Sequence, residues 1–386
     1  MLHHHESLDG ILSDIHACTG LRDYGMQQKL RVAVVGLNFG SEFIPIYQQH
    51  PNVEEVVICD TNEALLNQTG DRFAVKSRFT TLESLVKNGQ CDAVHLFTPV
   101  PYHVEHSVLV LEAGFHCACA VPMSTDMAGL HRVVAAQKAS GKNYMMMETA
   151  VYTRGFLCAK ELYDKGELGD ITFLRGTYYQ DLEGAYPALW RAQPPMHYST
   201  HVVAPILALA QCHVESVVCM GSGRLRPDIH VEGGNIFPLQ TALFRLTNNN
   251  LAAEVTRSWF QTAHAYTEAF SVYGDRKGFE WQQIEDENPV VYTLEAVDPL
   301  RRGRNVTIER VVCPDRHDLL PPEIAHFTSG GHGGSHPYLV HEFISSIIEN
   351  RSPAIDAATS ANWTVPGICA NESSLLGGQL VNVPHW

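Results

Sequence analysis

The sequence predicts an α/β protein in two parts: an N-terminal doubly wound parallel sheet, and a C-terminal α+β domain built on a large, mostly antiparallel open sheet. Three observations carry this. Strand and helix signals alternate from residue 30 to residue 149, the pattern of a parallel sheet with helices on both faces. Beyond residue 170 long strand-like runs follow one another with few helices between them, the pattern of antiparallel strands. A chain of 386 residues, 45% of them hydrophobic, is too long for one small core and suits two.

Taken in order, 30–35 is a short β-branched run and 39–49 a helical one. A second strand is predicted over 53–59 and a helix over 63–69. A short helix at 82–87, a strand at 93–97, a helix at 104–113 and a strand at 115–118 follow, then a helix at 127–139 and a strand at 144–147. One more helix, 154–164, is capped by Gly166. Strands are predicted over 171–179, 214–220, 240–246, 252–259, 267–273 and 305–311, joined by polar turns such as Asn248-Asn249-Asn250 and Gly274-Asp275. Helices over 337–348 and 357–373 close the chain. The expected divisions are an N-terminal extension, 1–28, with no assigned role, a first domain, 29–149, and a second, 150–386, whose last helices are candidates to pack back on the first.

A net charge of −15 argues against nucleic acid and anionic membranes, which need basic surface. No apolar run approaches the ~20 residues that cross a bilayer. The polar stretch Met1 to Gly20 lacks an apolar signal core, so a cytoplasmic location is expected. The ten cysteines are scattered, several on predicted strands (Cys59, Cys91, Cys117, Cys119, Cys219), and read as reduced core thiols. Cys117-x-Cys119 has neither disulfide nor zinc spacing.

The sequence Gly36-Leu-Asn38-Phe39-Gly40-Ser41 follows the first strand and opens the first helix. A turn of so little bulk lets backbone N–H groups and a helix start meet a pyrophosphate. Asp60 ends the second strand, where a carboxylate accepts hydrogen bonds from ribose hydroxyls and repels a 2′-phosphate, so NAD is expected over NADP. Thr98-Pro99-Val-Pro-Tyr-His103 follows the strand predicted over 93–97, at the end of the sheet where open α/β folds bind ligands.

Gly36-x-x-x-Gly40, Asp60, Thr98-Pro99-x-x-x-His103 and Gly114-Phe-His116 resemble, in order and spacing, the glucose–fructose oxidoreductase/inositol dehydrogenase/MocA family. The resemblance covers residue 30 to the C-terminus. It implies a Rossmann domain followed by an α/β domain whose open sheet commonly mediates dimers, hence a homo-oligomer. Two hallmarks of the family are replaced. Its Glu-Lys-Pro stands here as Ala120-Val121-Pro122, and its Asp-x-x-x-His as His197-Tyr-Ser-Thr-His201. These departures resemble the branch of NAD-dependent glycoside hydrolases typified by α-N-acetylgalactosaminidase, which also has Val-Pro. Similar to that branch are Met145-Met146-Met147-Glu148-Thr149, Gly176-Thr-Tyr178-Tyr179-Gln-Asp181, Trp190-Arg191, Tyr198-Ser-Thr-His201-Val-Val-Ala-Pro205 and, intact, Gly330-Gly331-His332-Gly333-Gly334.

What the resemblance implies is an enzyme that oxidises a sugar at carbon 3 with held NAD, eliminates the aglycone, adds water and returns the hydride. Plain NAD-dependent sugar or polyol dehydrogenation, and a non-catalytic NAD sensor, are the alternatives. His201 is expected as the base near hydride transfer, and Tyr178 or Tyr198 as groups that polarise ring hydroxyls or take the carbon 2 proton. His332 is expected as the acid/base at the glycosidic oxygen, and Arg191, Trp190, His197 and Asp181 as substrate contacts. Gly36, Asn38, Phe39, Gly40, Asp60, Thr98, Pro99, His103, Val121, Pro122 and Glu148 are expected around the cofactor. No metal is expected; the spacing of His197 and His201 leaves a helical metal pair as an alternative.

Overall fold

The computed structural model describes residues 29–88, 90–184, 188–247, 250–284 and 287–386; the expected N-terminal extension, 1–28, lies outside them, as do Asn248 and Asn249. The chain divides into two compact units. The first holds the described residues up to Ser124, with Ala128–Met147 and Arg316–Ser360. The second holds Thr125–Met127, Glu148–Asp315 and Ala361–Trp386.

In the first unit, β1 (Leu30–Val35), β2 (Val53–Cys59), β3 (Arg78–Phe79), β4 (Ala93–Leu96), β5 (His116–Cys119) and β6 (Tyr144–Met146) form a parallel sheet in the order β3-β2-β1-β4-β5-β6. The order reverses between β1 and β4, so the crevice beyond their C-terminal ends is where such a sheet takes a ligand. Val32, Ala33 and Val34 are wholly buried, as expected of a central strand covered on both faces. The single helix predicted after β1 is two, Leu37–Gly40 and Ile44–Gln49, because Pro45 starts a new helix more readily than it continues one. The segment Arg316–Ser360 belongs to this unit. Its helix His336–Ile348 is tied down by the Asn143 side chain, which donates to Ser346 Oγ at 3.0 Å and to the Arg351 carbonyl at 2.8 Å.

In the second unit, nine strands form one sheet: β7 (Ile171–Tyr179), β8 (Val214–Ser222), β9 (Leu239–Leu246), β10 (Ala252–Ser258), β11 (Thr267–Gly274), β12 (Lys277–Glu280), β13 (Val290–Leu294), β14 (Val306–Arg310) and β15 (Val381–Asn382). The order is β14-β13-β12-β11-β7-β10-β9-β8-β15, with β7 and β10 parallel and the other pairs antiparallel. The short strands β12, β13 and β15 carry too little alternation to be read from sequence.

The helix Thr200–Ala210 covers this sheet at β7 and was not among the predicted elements. Every residue in it except Ala208 is buried, so it has no polar face and no amphipathic period to detect. Gly176 sets its approach: a Cβ there would lie 2.7 Å from the Val202 carbonyl oxygen. The fold therefore predicts that Gly176→Ala lifts the helix from β7 and destabilises the protein by ~1–3 kcal/mol, the range for overpacking. Thermal denaturation checks this, and an unchanged midpoint would show that the helix yields without cost.

Candidate functional site

The sequence-expected cofactor residues gather at the reversal point of the first sheet. Gly36 adopts φ 91, where only glycine sits without strain, and a Cβ on it would lie 2.7 Å from the Phe97 carbonyl oxygen. The helix Leu37–Gly40 starts directly after it, and Asn38 is exposed there. A helix start leaves N–H groups without intrahelical acceptors. Asp60 Oδ2 accepts one of them, from Leu37, at 2.8 Å, and Oδ1 accepts from the Asn62 amide at 2.8 Å. Backbone donors beside a carboxylate at the end of β2 are the groups that hold a dinucleotide's pyrophosphate and ribose. The site thus fits NAD by its donor set and by the glycine turn that a side chain would fill.

His103 holds the neighbouring loops. It is buried, with Nδ1 2.7 Å from the Pro122 carbonyl and Nε2 2.7 Å from the Thr98 carbonyl. Two carbonyl partners require an N–H on both nitrogens, hence an imidazolium. Burial opposes that charge, but the nearby Cys119 and the two carbonyls outweigh it and raise the group to about 9. His103 therefore straps the turn after β4 to the Val121-Pro122 turn after β5, rather than presenting a free nitrogen to a ligand. Thr98 is half-buried and Pro99 exposed, while Val121 and Pro122 are buried. His332 also belongs to this unit, with its ring 5.2 Å from that of Phe39.

The acid–base residues of the second unit are assembled by strand register. Tyr178 on β7 lies opposite Arg257 on β10 and opposite Glu268 on β11, so the three side chains share one face across three strands. That face is the one Gly176 opens to the helix Thr200–Ala210, and His201, in the first turn of the helix, lies over it. The His201 ring meets Tyr178 at 5.6 Å and Tyr198 at 5.5 Å between centroids. Its Nδ1 is 2.6 Å from Glu148 Oε1, and its Nε2 is 3.8 Å from Glu268 Oε1. Glu148 is 0% exposed, and its Oε2 has no hydrogen-bond partner among the described residues. Burial works against a charged imidazole, yet Glu148 and Glu268 outweigh it and raise His201 to about 9. Glu268 in turn accepts from the Tyr266 hydroxyl.

Arg257 is fully buried. Its guanidinium stacks over Tyr178 at 3.5 Å and over Trp259 at 4.0 Å, and it donates to Gln180 Oε1 at 3.0 Å. Burial pushes the Tyr178 phenol well above its ordinary range, with the arginine only partly opposing. The phenol donates to Gln180 Oε1 at 3.1 Å.

The other expected substrate contacts are placed more loosely. Trp190 packs on Tyr198 at 5.6 Å and on Trp259 at 5.5 Å, beside the cluster. Asp181 is exposed, and its carboxylate caps a turn at the Glu183 amide, 2.9 Å away. Arg191 is half-buried, and the described contacts do not bring it to His201. His197 lies on the separate turn Pro195–Tyr198, ahead of the helix that carries His201. The two do not share a helix face, which corrects the premise of the metal pair. Among the described residues no group of three or more His, Cys, Asp or Glu side chains has the arrangement to hold a metal ion. Burial lowers His197 to about 4.

Three participants were missed or differently read. Glu148, expected at the cofactor, is bonded to His201, 53 positions away. Arg257 and Glu268 sit on strands with no motif around them. Only the strand register, not any local pattern, places them beside Tyr178.

Comparison with known proteins agrees with this architecture. Residues 30–148 match the family model described as the oxidoreductase family with an NAD-binding Rossmann fold. A glycosyl hydrolase family 109 protein of Stenotrophomonas maltophilia is 21% identical over 93% of this chain and 89% of its own length. The 1-carboxy-3-chloro-3,4-dihydroxycyclohexa-1,5-diene dehydrogenase of Comamonas testosteroni is 29% identical over 155 residues, 39% of this chain and 38% of that one. A solved levoglucosan dehydrogenase in complex with NADH and levoglucosan superposes with a TM-score of 0.76 at 20% identity, over 93% of this chain and 100% of that one, and so shares the fold.

If Glu148 holds the His201 charge, Glu148→Gln lowers the titration midpoint of that imidazole by ~1–3 units, the usual effect of an adjacent opposite charge. Imidazole NMR across the pH range reads this directly. A midpoint that stays at about 9 would show that Glu148 is not the group that holds the proton.

Proposed function

We propose that this chain is a member of the glucose–fructose oxidoreductase/inositol dehydrogenase/MocA family, whose NAD-binding Rossmann model matches residues 30–148, and that it oxidises a sugar ring at carbon 3 and thereby cleaves a glycoside. The observation that carries the reading is the row Glu148, His201, Glu268: one imidazole between two carboxylates, walled by Tyr178 and Tyr198. Full-length likeness to proteins named glycosyl hydrolase family 109 supports cleavage over simple oxidation.

Gly36, Asn38, Phe39, Gly40, Asp60, Thr98, Pro99, Val121 and Pro122 would hold the cofactor, and the Asp60 carboxylate favours NAD by repelling a 2′-phosphate. When bound, NAD accepts the hydride in the opening oxidation and returns it in the closing reduction. The proton chemistry falls to the second unit. With valine at position 121, no ammonium group is present there to help the reacting hydroxyl ionise. His201, once its Nε2 is deprotonated, takes that hydroxyl's proton, and Glu148 steadies the resulting imidazolium.

The carbon 3 ketone acidifies the hydrogen on carbon 2, whose removal needs a second base. Tyr178, with its phenol pushed up by burial, is the weaker choice. The Glu268 carboxylate is the stronger one, and Tyr178 and Tyr198 serve as ring walls and hydroxyl partners. The departing oxygen takes its proton from an imidazolium: His201 is held charged at neutral pH, and His332 is the second candidate. The homo-oligomer expected of the open sheet is part of the same proposal, with Met220, Leu243 and Ile308 exposed on its strands.

Plain sugar dehydrogenation is the second reading, favoured by a likeness over 155 residues to a protein named as a dehydrogenase. A panel of p-nitrophenyl glycosides, with and without added NAD, separates the two. The proposal predicts aglycone release with no net NADH, whereas NADH in step with product would establish the dehydrogenase. His201→Ala should cost ~10²–10⁴ in rate, the worth of a general base, and leave NAD binding intact. Near-normal turnover of that variant would return His201 to a structural role.

A further inference from the structure

The loop Gly330-Gly331-His332-Gly333-Gly334 has a place in the first unit that its sequence did not reveal. His332 opens a single turn, His332–Gly334, with φ values of 50, 60 and 79 at successive residues. Glycine takes such values without strain, whereas histidine adopts them uncommonly. Its ring stands at 60° to that of Phe39, with centroids 5.2 Å apart, and lies 5.2 Å from the ring of His336.

Phe39 belongs to the glycine turn itself. Its ring meets Phe43 at 5.6 Å, Phe97 at 5.7 Å and His336 at 5.6 Å. Phe97 follows β4, and its carbonyl is the group that leaves no room for a side chain at Gly36. One row of rings thus joins the loop to both turns at the reversal point of the sheet. The row is uncharged at its buried end: burial lowers His336 to about 3 and His95 well below its ordinary value. Edge-to-face ring pairs of this kind stabilise beyond their buried area.

We infer that His332 is a positioning residue of the dinucleotide site, its ring holding Phe39, and through it the Gly36–Gly40 turn, in the shape that retains NAD. The inference deepens the proposed function, because a redox-neutral cycle needs a cofactor that stays bound from the first oxidation to the last reduction. It rests on NAD binding by the Rossmann unit and not on the identity of the sugar.

The test uses the full chain loaded with NADH and chased with excess NAD in a stopped-flow fluorimeter. His332→Ala should release NADH ~3–10-fold faster, the worth of one aromatic contact. His332→Phe keeps a ring and loses the titrating nitrogens, and should stay within about twofold of the parent. Phe39→Leu should release as fast as His332→Ala, and the double variant no faster than either, because the two residues act through one contact. Unchanged release from His332→Ala, or fully additive effects in the double variant, would overturn the inference. If His332→Ala does not fold, Phe39→Leu carries the comparison, and parent-like release from it would likewise overturn the inference. A failed glycosidase reading is seen separately, as absence of aglycone release by the parent protein, and leaves the release rates to decide this question. Should His332 also serve as the leaving-group acid, His332→Phe loses cleavage of poor leaving groups while holding NADH normally.

Discussion

A carboxylate with no exposed surface, Glu148, has to be compensated, and His201 compensates it. Burying an ionised carboxylate without a partner costs several kcal/mol, and removing one member of a buried pair leaves the other stranded. The second unit is built so that this pairing can form. The helix Thr200–Ala210 brings the imidazole; it must lie close on the sheet to do so, and Gly176 allows the approach. Parallel pairing of β7 with β10 and antiparallel pairing with β11 then set Arg257 and Glu268 on either side of Tyr178. The imidazole between two carboxylates is held charged, while the buried guanidinium of Arg257 is taken up by aromatic faces and carbonyls.

The first unit solves a different problem with the same economy of contacts. A glycine turn can meet a dinucleotide only if its backbone is held without side-chain bulk. Here Asp60 fixes one end of the turn through the Leu37 amide, and the rings of Phe39, Phe97 and His332 fix the other. His103, bonded at both nitrogens to carbonyls, joins the two loops that follow β4 and β5. These are fixed points around the place where the cofactor would be held.

Much of this was legible in the sequence. Gly36, Gly40 and Asp60 reveal the Rossmann unit because their job is local: a turn, a helix start and a strand end. The strand–helix alternation is local too, and its boundaries came within a few residues. What was not legible depends on register and on distant partners. Glu148 reads as a strand-end acid until the fold sets it against His201. Arg257 and Glu268 lie on ordinary strands and gain meaning only from pairing with β7. The helix Thr200–Ala210 hides because a helix buried all round carries no polar stripe. The His197–His201 spacing suggested one helix face, whereas the chain turns between them at Ser199. The cysteine reading is uneven: of the nine described thiols, all free, seven are buried, and Cys158 and Cys313 are partly exposed.

The central claim is that the imidazole held between Glu148 and Glu268 takes the proton when the sugar is oxidised. In the resting protein that imidazole is charged below about 9 and neutral above, and only the neutral form can accept a proton. The most direct measurement is therefore the single-turnover rate of NAD reduction by a reacting sugar, followed at 340 nm across the pH range. The account predicts a rate that is low at neutral pH, rises about tenfold per pH unit, and levels off once pH exceeds about 9. A rate that is flat between pH ~6 and ~10, or that falls as pH rises, would contradict it.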